Sequence, residues 1–162
     1  NPDVQCYLFQ TWPYKLDAGL DFTQRFTREY PLGKPVDEGA TYSRDYSLKL
    51  AENVRAAFPD AKKPFLVIPA GEVLLELDKR MKAGQVPGFK SAGELYADSI
   101  HMNDVGNYAV RCTFYATLYR EDPKGLPSPS GGKAPVSDAL AAVIQDAVWS
   151  VVSQHPLAGV KK

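Results

Sequence analysis

"FLVIPAG", Phe65 to Gly71, is a continuous apolar run of strand length with no alternation between its two faces. A strand that is apolar on both faces suits a parallel sheet covered by helices on each side. Immediately after it, Glu72 to Ala83 carries Val73, Leu77 and Met81 in helical register, with Gly84 as a stop. Immediately before it, Asp45 to Phe58 sets Leu48, Ala51, Val54 and Ala57 on one helical stripe, and Pro59 follows the end. Helix, strand and helix in that order read as part of an α/β fold.

Further out, Val4 to Thr11, "VQCYLFQT", is a second short run of strand formers, ended by Trp12-Pro13. Residues 13–44 are punctuated by Pro13, Gly19, Pro31, Gly33, Pro35 and Gly39, and are expected to be either a functional loop or a set of short helices. Downstream, Val105, Tyr108, Cys112, Tyr115 and Tyr119 recur at helical spacing after Asn103. Val136 to Val152 forms the last helix, with Val136, Leu140, Val143, Ala147, Val148 and Val151 inward and Ser137 or Asp138 as a weak cap. Between these helices lies "EDPKGLPSPSGGKAP", Glu121 to Pro135, a Pro/Gly/Ser-rich linker or surface loop.

The expected fold is α/β, a partial three-layer α/β/α (flavodoxin-like) arrangement with a parallel sheet, in which only two strands are legible. A two-stranded sheet is marginal alone. Together with an N-terminus that enters a strand almost at once, this leads to the expectation of a C-terminal half-domain over 1–120, a loop over 121–135, and a final helix and tail over 136–162 packing on the same domain.

Nineteen acidic and nineteen basic residues among 162 cancel, which disfavours nucleic acid or an anionic membrane as a partner held by bulk charge. No apolar run approaches the roughly 20 residues that a membrane-spanning helix needs. The two cysteines, Cys6 and Cys112, lack metal-ligand spacing; whether they pair is open. Two well-separated histidines add no ligand set, so no metal is expected. No glycine-rich phosphate loop is present, and no cofactor is expected. The compartment stays open, a secreted or periplasmic one among the options, as does the oligomeric state.

"LYADSIHMNDVGNYAV", Leu95 to Val110, carries the chemistry. Asp98 lies three residues before His101. In a turn, that spacing lets a carboxylate accept a hydrogen bond from one imidazole nitrogen, fixing the tautomer and leaving the other nitrogen to take a proton. General-base help of this kind is worth ~10²–10⁴-fold in rate. The plainer alternative is a loop carboxylate beside an exposed histidine, ahead of Asn103 as a helix cap.

The string "DSIHMNDVGNYAVRCTFYATLY" resembles the last conserved block of the SGNH (GDSL-type) hydrolases, in which Asp-x-x-His precedes a glycine and a helix. Asp98 and His101 match the catalytic positions of that block and Gly106 its glycine; "VQCYLFQTW" resembles a late sheet strand of the family and "FLVIPAGEVLLEL" the strand and helix before the final block, so that the likeness spans roughly Val4 to Tyr119. The resemblance implies a serine esterase or acylhydrolase acting on a small or carbohydrate O-acyl ester, without a cofactor. The family's nucleophile block, its oxyanion glycine and its asparagine have no counterpart here, and no Gly-x-Ser-x-Gly elbow is present. Ser43, Ser47, Ser91 and Ser99 stand in cap, helix or loop contexts. The nucleophile is therefore expected upstream, and this chain alone is expected to be inactive. The alternative is a non-catalytic α/β domain that binds carbohydrate or a protein partner.

Trp12 and Tyr14, just past the first strand, are substrate-stacking candidates; Trp12 packing beneath the next loop is an equal alternative. Tyr108, Tyr115 and Tyr119 are expected to be core, His155 exposed and idle, and Glu72 either a crevice residue or a helix-dipole partner.

Overall fold

The computed structural model describes residues 3–15, 21–29, 40–129 and 135–160. Residues 16–20 and 30–39 of the punctuated stretch, 130–134 of the Pro/Gly/Ser segment, and the Lys161-Lys162 end lie outside the described residues. The chain is mixed α/β and helix-dominated. Among the described residues it holds strands β1 (Tyr7–Phe9) and β2 (Leu66–Ile68) and helices α1 (Phe22–Phe26), α2 (Arg44–Ala57), α3 (Ala70–Lys82), α4 (Asp104–Tyr119) and α5 (Asp138–Val152).

β1 and β2 pair in parallel, with Tyr7 opposite Leu66 and Phe9 opposite Ile68. Every residue of β2 is buried, as its unbroken apolar run requires. Both strands are shorter than the apolar runs that contain them. The second is cut short because Ala70 and Gly71 already belong to α3, whose first turn bends back over the end of β1. Gly71 donates its N–H to Gln10 O, and a Cβ there would collide with Thr11 O and the Phe26 ring. Only glycine permits that approach.

The core lies among α3, α4 and α5, which pack on one another. α3 buries Val73, Leu74, Leu77 and Met81; α4 contributes Val105, Tyr108, Ala109 and Cys112; α5 contributes Leu140, Ile144, Ala147 and Val148. Each of the last two helices starts where a side-chain cap satisfies its free N–H groups. Asn103 Oδ1 accepts from Val105 and Gly106 at 3.1 Å, and Ser137 Oγ accepts from Leu140 at 3.3 Å. α2 is thinner in its burial: of its expected stripe Ala51 is buried, Leu48 and Val54 are half-buried and Ala57 is exposed. Two side chains tie it to its neighbours instead, a bidentate Arg44 pair with Glu72 of α3 and an Arg55 Nε–H bond to Phe65 O, just before β2.

The segment after α4 is a packed loop over its described part. Gln145 of α5 donates to Tyr108 Oη at 2.6 Å and Leu126 O at 2.9 Å, and accepts from Gly125 N at 3.0 Å. Loop, α4 and α5 thus share one buried amide, which donates both of its N–H groups and accepts one. The tyrosine stripe on α4 divides along its length: Tyr108 is buried, Tyr115 is half-buried, and Tyr119 is 68% exposed because the helix runs past the core.

The two strand edges differ. On the outer side of β2, Val67 N–H donates to Leu157 O of the C-terminal tail at 2.8 Å. On the outer side of β1, the N–H and C=O groups of Tyr7 and Phe9 point away from β2 and meet no strand among the described residues.

Candidate functional site

At the carboxyl end of β1 the chain turns through Trp12, Pro13, Tyr14 and Lys15, and this exit segment lies against the turn that carries Asp98 and His101. The turn is closed at its base by an isolated antiparallel bridge between Tyr96 and Met102. Ala97 N–H donates to His101 O at 2.8 Å. Inside the turn, Asp98 Oδ1 accepts from the N–H groups of Ile100 (2.8 Å) and His101 (2.7 Å). Its other oxygen, Oδ2, lies 2.7 Å from His101 Nδ1. One carboxylate thereby shapes the backbone with one oxygen and holds the imidazole with the other.

These bonds stabilise the charged form of Asp98. The two backbone donors, then the His101 side chain, hold its carboxyl at about 2, below the usual 3.8. An ionised Asp98 selects the tautomer with hydrogen on Nδ1, leaving Nε2 with a free lone pair. The His101 side chain is 77% exposed. Among the described residues no hydroxyl stands within hydrogen-bond distance of Nε2. Ser43 and Ser47 are buried in α2 and its cap, Ser91 precedes a 3₁₀ turn, and Ser99 contributes its carbonyl to Lys15 N–H at 2.7 Å.

Trp12 and Tyr14 are both brought to this edge. The Trp12 indole N–H donates to Ile100 O at 2.8 Å, and its ring meets Phe9 edge-on at 6.0 Å. Tyr14 Oη lies 3.1 Å from Tyr42 Oη, with the two rings edge to face at 4.9 Å. Tyr96 Oη donates to Pro13 O at 2.6 Å, a third tie between exit segment and turn. Beside these ties opens a cavity of about 260 Å³, lined among others by Tyr14, Lys15, Arg25, Asp78 and Tyr96.

The polar residues that organise this end were only partly legible. Asp78 is fully buried on the apolar face of α3, between Leu74 and Met81, and a carboxylate at such a position is the signal that marks it. It accepts from Thr23 Oγ1 (2.9 Å) and Ala92 N (2.8 Å) and pairs with Lys82 (2.7 Å). Gln10, also fully buried, accepts from Glu72 N–H through Oε1, while its Nε2 has no partner among the described residues. Glu72, in the first turn of α3, is paired with Arg44. His155 is half-buried rather than exposed: its Nδ1 accepts from Leu157 N at 3.2 Å, and desolvation lowers its pKa below 6.5.

Cys6 and Cys112 are both free thiols, and burial pushes Cys112 up to about 11, so it is inert. Among the described residues no group of histidine, cysteine, aspartate and glutamate is placed to hold a metal. No helix of the described residues is long and apolar enough to cross a membrane. No protein-family model matches the chain, and neither a curated protein nor a solved structure is matched by it.

Proposed function

We propose that Asp98 and His101 are the acid–base half of an SGNH-type serine ester hydrolase acting on a small or carbohydrate O-acyl ester. The observation that carries this reading is the 2.7 Å contact between Asp98 Oδ2 and His101 Nδ1, on a ring whose opposite nitrogen is open to solvent.

In this reading His101 Nε2 takes the proton of a serine hydroxyl as its oxygen attacks the ester carbonyl. It returns that proton to the departing alkoxide, leaving an acyl-serine; water, deprotonated in the same way, then releases the acid. Asp98 keeps the ring oriented and stabilises the imidazolium during both transfers. The serine and the oxyanion donors come from polypeptide outside these 162 residues. Support for that part is that, among the described residues, no hydroxyl stands near Nε2 and the outer edge of β1 meets no strand; a further parallel strand there would extend the sheet into a three-layer α/β/α (flavodoxin-like) domain.

The test is turnover of a chromogenic acetyl ester by the full-length protein. His101→Ala is expected to lower kcat by about 10²- to 10⁴-fold, the range for loss of a general base. Unchanged turnover in that variant ends the assignment. If the wild-type full-length protein lacks turnover, a non-catalytic domain that binds carbohydrate or a protein partner takes its place.

A further inference from the structure

We propose that Trp12 is a positioning residue for His101, acting through the peptide unit that joins Ile100 to His101. The carbonyl of that unit accepts the Trp12 indole N–H at 2.8 Å, and its N–H donates to Asp98 Oδ1 at 2.7 Å. The two bonds sit at opposite ends of one amide dipole, so each strengthens the other. Trp12, the peptide, Asp98 and the imidazole form a single chain of hydrogen bonds that ends on Nδ1.

The donor is well placed to be the fixed end of this chain. The Trp12 ring packs partly buried against the hydrophobic core and edge-on to Phe9 of β1, so its direction is set by the sheet and not by the turn. The neighbouring ties, Lys15 N–H to Ser99 O and Tyr96 Oη–H to Pro13 O, hold the turn against the exit segment but do not touch the Ile100–His101 peptide. A side chain that satisfied the carbonyl only for burial would have no effect on the imidazole. One wired through this peptide transmits to Asp98 and to the ring.

This deepens the ester-hydrolase reading and rests on it only in the activity measurement. In the chain described here, nitrogen NMR above the histidine titration range reads the His101 tautomer directly. Trp12→Phe keeps the ring and deletes the N–H; the Nδ1–H tautomer fraction should fall, and the Asp98 carboxyl should titrate above its wild-type midpoint. A complementary variant avoids any change at the tryptophan. Asp98→Asn should move the Trp12 indole N–H resonance, while Trp149, the other tryptophan, stays in place and serves as the internal control. In the full-length protein, Trp12→Phe should lower kcat about tenfold with little change in KM, within what a small misplacement of a catalytic group costs. An unchanged tautomer in Trp12→Phe together with an unmoved indole resonance in Asp98→Asn overturns the inference, whatever the turnover. Full turnover in His101→Ala overturns the ester-hydrolase reading instead and leaves the NMR result standing.

Discussion

Asp98 engages both of its carboxylate oxygens within four residues. Two backbone N–H groups and one imidazole converge on it, and their combined field favours the carboxylate over the acid. The sign of the resulting pH dependence follows from the lowered pKa. The contribution of these bonds is fully present above the ordinary carboxylate value of 3.8 and is lost as pH falls towards about 2. Carbon-detected titration of the Asp98 carboxyl should therefore place its midpoint well below that of an unstructured aspartate. Loss of the Ile100 and His101 amide shifts should track the same midpoint. Asp98→Asn retains the acceptor for the backbone but offers Nδ1 no full negative charge; kcat of the full-length protein should fall about 10²- to 10⁴-fold with the turn intact.

At the scale of elements, the turn is held in place by the start of α4. The Asn103 cap fixes where the helix begins, and Asn103 Nδ2 also donates to Glu94 O at 2.7 Å, so the same side chain joins the helix to the 3₁₀ turn before Tyr96. Gly106 follows three residues later, where α4 passes against the base of the turn. A Cβ at that position would stand 2.8 Å from Leu95 O and 2.7 Å from Met102 Sδ. Helix propensity favours alanine over glycine by about 1 kcal/mol, but a backbone carbonyl held in a bridge cannot retreat. Gly106→Ala should therefore destabilise the protein by about 1–3 kcal/mol, as overpacking does. Urea unfolding measures it; a stabilised variant would mean that the Tyr96–Met102 bridge is softer than its geometry indicates.

At the scale of the whole molecule, one buried carboxylate links the sheet-end elements to the core. Asp78 of α3 reaches α1 through Thr23, the 3₁₀ turn through Ala92 N, and its own helix end through Lys82. Lys82 is shared with exposed Asp21, so the ion pair itself is partly screened. The larger cost of removal lies in the Ala92 N–H, which is buried without another acceptor. Asp78→Ala should lower stability by about 1–3 kcal/mol, the penalty for an unsatisfied buried donor. The midpoint of urea unfolding should drop with the slope unchanged. The sheet is the other feature at this scale. Its β2 side is closed by the tail at Leu157, while the outward backbone groups of β1, beside half-exposed Phe9, meet no strand among the described residues. An edge of that kind invites another strand.

The amino-acid sequence by itself determined the elements whose patterns are local: two apolar runs of strand length, the caps at Ser137 and Asn103, the helical registers of α3, α4 and α5, and the Asp-x-x-His spacing. Periodicity, capping chemistry and turn reach are properties of a few consecutive residues, and they can be read without knowing what packs against them. The tertiary structure alone decided where runs become strands, since α3 starts inside the second apolar stretch once Gly71 lets it close over Thr11. It alone packed the described part of a Pro/Gly/Ser segment around Gln145, half-buried His155, and placed Asp78 among three elements. It alone brought the Trp12 indole, 88 positions away in the chain, onto the carbonyl beside His101. Contacts between distant residues depend on how whole elements pack, and no short window of sequence contains that information.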